Sequence, residues 1–222
     1  MSVAENLAVV RERIAEACRR AGRSPDEVTL VGVSKGFPAE LVVEACAAGL
    51  TDLGENRVQE AAPKIEALTA RGVRPRWHLI GHLQTNKAKT ATGLFAIIHS
   101  VDSVRLAEAL SHRASEPLPV LLEVNVAREP AKFGFAPEEL SSAHSTIAAL
   151  PNLDVRGLMT VAPMADDPGR VRPVFRRLRE LRDGLGLREL SMGMTDDFEV
   201  AIEEGATLVR VGRAIFGPRP EA

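Results

Sequence analysis

The chain has 222 residues, of which 45% are hydrophobic, and this is enough for one domain with a complete core. Its 28 basic and 30 acidic residues give a net charge of −2, so it lacks the positive field that favours nucleic acid or an acidic membrane. It has no apolar run of about 18 residues that could span a membrane, and glutamates interrupt its N-terminal segment where a signal peptide would be apolar. Cys18 and Cys46 have no metal-ligating neighbours, so we expect reduced thiols and a cytoplasmic location.

The order of predicted elements begins with one amphipathic helix and then alternates between strands and helices. Apolar residues recur at helical spacing over residues 3–22, and Gly22 follows as a stop signal. The predicted strands are residues 28–35, 52–56, 77–82, 96–101, 120–126, 155–161, 190–194 and 208–211. The predicted helices between them are residues 39–49, 57–70, 86–93, 103–114, 137–150, 168–185 and 196–205.

Eight strands separated by helices predict an α/β fold, namely a single (β/α)8 TIM barrel with an extra N-terminal helix. Continuous apolar runs such as residues 28–33 are typical of parallel strands that are covered on both faces. An open doubly wound sheet is the alternative, but no glycine-rich fingerprint follows the first strand. The absence of a linker or repeat in the sequence predicts one domain over residues 1–222.

Lys35 is the most informative of the polar residues at the predicted strand ends. It follows a run of apolar and small residues, and chemistry in a barrel lies at the C-terminal ends of the strands. A lysine held at an apolar barrel mouth keeps a neutral amine that can attack an aldehyde. A surface lysine at the start of a loop explains the strand pattern equally well, so the pattern alone leaves both readings open.

The seventh and eighth strands predict a phosphate site, because barrels often bind phosphate in the loops that follow these strands. Gly212 allows close approach of the backbone, and Thr195 is expected to cap a helix whose Asp196 and Asp197 face solvent. Arg210 lies within an apolar strand and needs a partner. A carboxylate such as that of Glu123 and a ring nitrogen of a ligand are both candidates.

His78 and His82 do not predict a metal site. Four residues along a strand separate them by about 13 Å, which is too far to bind one ion. We expect both to be hydrogen-bonded residues near the barrel mouth.

Taken together, the motifs resemble those of the pyridoxal phosphate (PLP) homeostasis protein family. The resemblance rests on residues 31–35 (VGVSK), 54–60 (GENRVQE), 77–84 (WHLIGHLQ) with Asn86 and Lys87, 157–160 (GLMT), 190–194 (LSMGM), 209–212 (VRVG) and 214–217 (AIFG). It implies a fold-type III PLP barrel similar to the N-terminal domain of alanine racemase. It also implies intracellular binding, buffering or delivery of PLP, with PLP-dependent apoenzymes as recipients.

The resemblance implies a role for six residues. Lys35 is the Schiff-base lysine, Asn56 lies beside the cofactor, Arg210 faces the pyridine nitrogen, and Thr195, Gly212 and Arg213 contact the phosphate. Two positions depart from the family pattern. Thr195 replaces a serine and keeps the hydroxyl. Arg213 replaces a small hydroxyl residue, so it keeps only the backbone N–H, and its guanidinium either reinforces the phosphate site or points to solvent.

A carrier of PLP is favoured over an amino-acid racemase, which is the main alternative. A two-base racemase needs a second base opposite the lysine, and alanine racemase uses a tyrosine there, whereas this chain has no tyrosine. Cys46 is a candidate substitute, but it lies on the apolar side of its predicted helix. An arginine at the ring nitrogen also leaves the pyridine neutral and a poorer electron sink. A cofactor-free Schiff-base aldolase is a third hypothesis. We expect no substantial turnover, no metal and a monomer.

Overall fold

The computed structural model describes residues 1–218, and its eight parallel strands form a closed barrel in chain order. The strands are β1 (Thr29–Val33), β2 (Asp52–Glu55), β3 (Arg76–Leu79), β4 (Ile97–Val101), β5 (Leu118–Glu123), β6 (Leu153–Met159), β7 (Glu189–Met194) and β8 (Leu208–Val211). The α-helices are α1 (Val3–Arg20), α2 (Ala39–Ala47), α3 (Val58–Ala70), α4 (Ala88–Leu94), α5 (Val104–Ser111), α6 (Leu140–Ala148), α7 (Arg172–Gly184), α8 (Phe198–Glu203) and α9 (Arg213–Phe216).

The predicted (β/α)8 barrel is confirmed, and the doubly wound sheet is excluded because β1 pairs with β8 and closes the sheet. Several strands are shorter than predicted at their C-terminal ends, since the chain turns into the βα loops where the polar residues begin. Helix α9 was not predicted, because four residues are too few to show a helical period. The single domain over residues 1–222 stays a prediction, and its residues 219–222 lie outside the described residues.

Helix α1 begins where the sequence predicts and covers one side of the barrel. Ser2 caps it by accepting a hydrogen bond from the Glu5 N–H, and the Glu5 carboxylate accepts one from the Ser2 N–H. Its apolar face packs on α8 and α9, and the Asn6 amide donates to the Ile215 carbonyl at 3.0 Å. Helix α1 therefore supports α9, the short helix that follows β8. None of the described helices is long and apolar enough to cross a membrane.

The alternation of side chains along the strands separates two apolar regions. One lies between the sheet and the helices, and the other fills the barrel interior. Leu121 of β5 and Leu208 of β8 belong to the interior cluster. Because successive strand residues point to opposite faces, Glu123 and Arg210, two residues further along, also face the interior near the C-terminal end. The buried members of the interior cluster are Val31, Ile97, Leu121, Met159 and Leu208.

Candidate functional site

Lys35 lies in the tight turn between β1 and α2, at the C-terminal end of the barrel. The Ser34 N–H donates to the Gly54 carbonyl at 3.0 Å, so the pairing of β1 with β2 continues past the end of β1. Gly36 completes the turn in the left-handed region, with a φ of 74° that favours glycine. Lys35 and Asn56, both half-buried, therefore leave neighbouring strands at the barrel mouth.

A buried ion pair fixes the backbone next to Lys35. Glu55 is fully buried and accepts hydrogen bonds from the Ser34 hydroxyl at 2.7 Å and from Lys64 Nζ at 2.5 Å. Lys64 Nζ also donates to the Ser34 carbonyl at 2.7 Å. Burial raises the pKa of Glu55, whereas the interaction with Lys64 opposes that rise. Because Lys64 binds both the carboxylate and the Ser34 backbone, this cluster ties the end of β1 to α3.

Thr195 lies in the turn between β7 and α8, but it is not the helix cap that the sequence predicts. Helix α8 begins at Phe198, and Asp197 is its N-cap residue. The Asp197 carboxylate accepts from the Met194 N–H at 2.5 Å, while its own N–H donates to the Met194 carbonyl at 3.1 Å. The predictions that Thr195 caps the helix and that Asp197 faces solvent are therefore wrong. The Asp197 carboxylate binds a backbone N–H of the turn and therefore does not face solvent. Thr195 lies half-buried within the same loop.

Gly212 brings the end of β8 close to the end of β1. A Cβ atom at this position would lie 3.2 Å from the Val33 carbonyl oxygen, which is tighter than ordinary contact. Gly212 is also the N-cap residue of α9, so the first N–H groups of that helix begin at the barrel mouth. The Arg213 side chain is exposed and forms an ion pair with Asp196 at 2.8 Å. Of the two orientations open for Arg213, the structure shows the one toward solvent.

Arg210 is buried inside the upper part of the barrel, and its guanidinium donates hydrogen bonds to one residue within β7 and one just after β6. Nη1 donates to the Ser191 hydroxyl at 2.6 Å, and Nη2 donates to the Thr160 carbonyl at 2.9 Å. Burial lowers the pKa of Arg210 to about 10, with Asp197 and Glu123 opposing the shift, so the guanidinium stays charged at neutral pH. Glu123, the carboxylate partner considered from the sequence, thus acts on Arg210 as a nearby charge, while the hydrogen bonds run to Ser191 and Thr160.

Glu123 and a rim of polar and aromatic side chains form the opposite wall of the mouth. Burial raises the pKa of Glu123 to about 7, repulsion from Asp102 adds to the shift, and Arg210 opposes it. His82 Nδ1 lies 2.7 Å from Asp102, and the His82 ring stacks on Phe133 with 3.8 Å between the centroids. The loops after β3 and β5 therefore meet over this side of the barrel mouth.

His78 does not lie near the mouth as expected, and here the sequence interpretation missed a group of residues. His78 points into the barrel interior, where it contacts Asp52 and His99, and His99 in turn contacts Ser191. The sequence contained a partial signal, because His99 and Ser191 lie in strands that are otherwise mostly apolar. Within residues 1–218, no group of three or more His, Cys, Asp or Glu side chains is placed to hold a metal ion.

The candidate site residues therefore gather at four strand ends that are consecutive around the closed barrel. They are Lys35 after β1, Asn56 after β2, Thr195 after β7, Arg210 on β8, and Gly212 and Arg213 after β8. This arrangement offers a primary amine, a buried cationic donor and backbone N–H groups at a helix start to one ligand. Such a set suits a small molecule that carries a carbonyl, a hydrogen-bond acceptor and an anionic group.

Comparison with known proteins gives full-length matches. A family model described as the alanine racemase N-terminal domain matches residues 6–220. The pyridoxal phosphate homeostasis protein of Aquifex aeolicus (strain VF5) is 48% identical over 228 residues, which cover 99% of each chain. The protein of the same name from Escherichia coli (strain K12) is 42% identical over 226 residues, covering 98% of this chain and 97% of its own.

Solved structures show the same barrel. PipY of Synechococcus elongatus PCC7942, solved with PLP bound, superposes with a TM-score of 0.85 at 37% identity and covers 97% of this chain and 100% of its own. Alanine racemase of Corynebacterium glutamicum superposes with a TM-score of 0.72 at 22% identity, which shows the shared fold alone, and this chain spans 62% of that protein. Identity at this level over the whole length of the relatives confirms the resemblance seen in the motifs, and the chain belongs to the pyridoxal phosphate homeostasis protein family.

Proposed function

We propose that this protein binds pyridoxal 5'-phosphate at the C-terminal mouth of its barrel and takes part in PLP homeostasis by holding and releasing the cofactor. The observation that carries the proposal is Arg210, a buried guanidinium fixed by Ser191 and Thr160 at the same mouth as Lys35. Burying a charge is costly, so a cation held in the interior at this position favours a ligand acceptor that needs it. PipY, a relative with the same barrel, has been solved with PLP bound.

The residues at the mouth fit three functional groups of PLP. The cofactor supplies an aldehyde that reacts with a primary amine, a pyridine nitrogen and a phosphate. In our proposal, Lys35 provides the amine and forms the Schiff base, Asn56 lies beside the ring, and Arg210 donates to the ring nitrogen. A larger residue at Gly212 would press on Val33, so glycine at this position keeps the end of β8 close to the end of β1, the strand that leads to Lys35.

The phosphate is proposed to bind between the loops after β7 and β8. Gly212 and Arg213 lie at the start of α9. The first backbone N–H groups of a helix have no acceptor within the helix, so they can donate to an anion. Thr195 supplies a hydroxyl from the facing loop. Since the Arg213 guanidinium is paired with Asp196 at the surface, we assign to Arg213 only its backbone N–H.

We propose that the protein does not turn over amino acids at a substantial rate. An arginine keeps its proton beside the ring nitrogen, so the ring stays neutral and withdraws electrons poorly. The chain has no tyrosine to act as a second base, and Cys46 packs partly buried against the core, where burial raises its pKa. Both cysteines are free thiols, which is consistent with our proposal of a cytoplasmic role with PLP-dependent apoenzymes as recipients.

The proposal is tested by the covalent attachment of PLP to Lys35. Purified wild type mixed with PLP is expected to turn yellow, and borohydride reduction followed by peptide mass spectrometry is expected to place the label on Lys35. The variant Lys35→Ala loses the label, because alanine has no amine. Lys89→Ala, which removes an exposed lysine of α4, keeps it. A label that persists elsewhere in Lys35→Ala at wild-type yield would refute the assignment of Lys35, and a colourless wild type would refute PLP binding.

Turnover is tested separately on the PLP-loaded protein. Racemisation and transamination of amino acids are expected to stay far below the range of about 1–1000 per second that is typical of enzymes. A rate within that range, abolished by Lys35→Ala, would show that the protein is an enzyme.

A further inference from the structure

A line of buried polar side chains crosses the interior of the barrel, below the candidate site. It starts at Asp52 on β2, passes through His78 on β3, His99 on β4 and Ser191 on β7, and ends at Arg210 on β8. All five residues are at most 5% exposed. Successive members lie 2.9, 2.9, 2.8 and 2.6 Å apart, so the line is one continuous chain of hydrogen bonds. We call it the interior chain.

The interior chain lies where a barrel normally packs apolar side chains. Val31, Ile97 and Leu121 are among the apolar residues of the same interior. Buried polar groups cost free energy unless each is hydrogen-bonded, and well-packed hydrophobic residues of similar size often replace them without loss of stability. Stability is therefore a weak explanation for four polar residues leading to Arg210, and a role in placing that arginine is a stronger one.

The two ends of the interior chain determine the direction of every hydrogen bond in it. At the base, hydrogen bonds from His78, Thr51 and Arg76 outweigh burial and lower the pKa of Asp52 to about 2, so this carboxylate only accepts. At the top, the guanidinium of Arg210 only donates. Between two neutral histidines, each with one donor and one acceptor, only hydrogen bonds that all run toward Asp52 satisfy both ends.

The tautomer of each histidine follows from this direction. Burial lowers the pKa of His78 and of His99, so both rings are neutral at pH 7. His78 donates from Nε2 to Asp52 and accepts at Nδ1. His99 donates from Nε2 to His78 and accepts at Nδ1 from the Ser191 hydroxyl. The oxygen of that hydroxyl is then turned to accept from Arg210.

We propose that the interior chain positions the guanidinium of Arg210 for its contact with the ring nitrogen of bound PLP, an inference that rests on the proposed function. Ser191 takes Nη1 and the Thr160 carbonyl takes Nη2, which fixes the plane of the guanidinium at two points. Asp52, His78, His99 and Ser191 are thus positioning residues, which act on the cofactor only through Arg210. Asp52 lies at the N-terminal end of β2, the opposite end of the barrel from the site.

The first test uses the protein without PLP and reads the histidine rings directly. Imidazole ¹⁵N spectra are expected to show a protonated Nε2 and an unprotonated Nδ1 in both His78 and His99. Asp52→Asn keeps the size of the side chain but can donate as well as accept, so His78 is expected to gain a second tautomer. Asp154→Asn, which removes a half-exposed carboxylate at the base of β6, is the matched control and leaves the spectra unchanged. A protonated Nδ1 in wild-type His78 or His99 would overturn the assigned direction.

The second test measures how the interior chain affects the affinity for PLP through Arg210. Ser191→Ala is expected to weaken PLP binding about tenfold, the equivalent of one hydrogen bond to a charged group. The same substitution in an Arg210→Met background is expected to have no further effect, because the group on which Ser191 acts is already absent. Thermal unfolding without PLP is followed in parallel, so that PLP is titrated only where each variant is folded.

The outcomes separate this inference from the proposed function. If wild type fails to bind PLP, the proposed function falls and this inference falls with it. If wild type binds PLP and Ser191→Ala weakens binding equally with and without Arg210, only the positioning role is overturned. Unchanged PLP affinity in Ser191→Ala would overturn it as well.

Discussion

Glu123 is expected to make the stability of the protein depend on pH near neutrality. Its side chain lies in the upper barrel, where burial raises its pKa from 4.5 to about 7. Repulsion by Asp102 adds to this rise, and attraction to Arg210 opposes it. In the unfolded chain the carboxyl returns to its ordinary value. Between pH 4.5 and 7, Glu123 is therefore protonated in the folded protein and ionised in the unfolded chain. The free energy of unfolding falls as the pH rises through that range, because the folded state binds more protons.

The magnitude follows from the difference between the two pKa values. At 1.36 kcal/mol for each pH unit, ionised Glu123 costs about 3 kcal/mol of folding free energy above pH 7. Glu123→Gln keeps the size of the side chain and never carries a charge. The variant is therefore expected to be more stable than wild type by about 3 kcal/mol at pH 8 and equally stable at pH 4.5.

The assay is urea unfolding of the PLP-free protein at pH 4.5, 6, 7 and 8, followed by the fluorescence of Trp77, the one tryptophan of the chain. Glu66→Gln, which changes an exposed glutamate of α3, is the control and is expected to shift stability by less than about 0.5 kcal/mol at every pH. A gain in Glu123→Gln that is the same at pH 4.5 and pH 8, or that is absent at both, would show that Glu123 ionises as an ordinary carboxyl group and would refute the reasoning.

Three further predictions concern the barrel, and each is tested by the free energy of unfolding in urea. Lys64→Met leaves the buried Glu55 carboxyl without its cation, so a loss of about 3–5 kcal/mol is expected, most of which the double variant with Glu55→Leu regains. Equal stability of the single and double variants would argue against a coupled pair. Gly157→Ala would place a methyl group against a backbone carbonyl of β7, so the free energy of unfolding is expected to fall by about 3 kcal/mol or more. Gly184→Ala, in open space at the end of α7, is the control and should raise it by about 0.5–1 kcal/mol. Asp52→Asn should cost about 2 kcal/mol at pH 7, because hydrogen bonds from its neighbours hold the pKa of Asp52 at about 2. That cost should shrink as the pH falls from about 4 toward 2, where the native carboxylate is protonated as well, and a loss that does not depend on pH would contradict it.

The sequence allowed a prediction of the site residues that follow or interrupt an apolar run. Lys35 follows the first run and Arg210 interrupts the last one, and a closed barrel places both at the same end because all strands run in one direction. The roles of Lys35, Asn56, Thr195, Arg210 and Gly212 toward PLP stay predictions. The details of the loops could not be predicted, because hydrogen bonds between a side chain and a nearby backbone compete closely with helix capping. Asp197, for example, binds the Met194 N–H and starts α8 two residues later than expected for a cap at Thr195.

The sequence by itself determined the class of fold, the order of the strands and the family, because strand periods and strand-end motifs are local properties of the chain. Only the tertiary structure decided which polar side chains meet inside the barrel. Asp52, His78, His99 and Ser191 come from four different strands, and no local pattern in any one strand shows that the four side chains meet. Closing the barrel turns all four inward and within 3 Å of one another in succession. The bond between His99 and Ser191 joins β4 to β7, two strands that are not neighbours in the sheet, so it forms only because the sheet curves into a closed barrel.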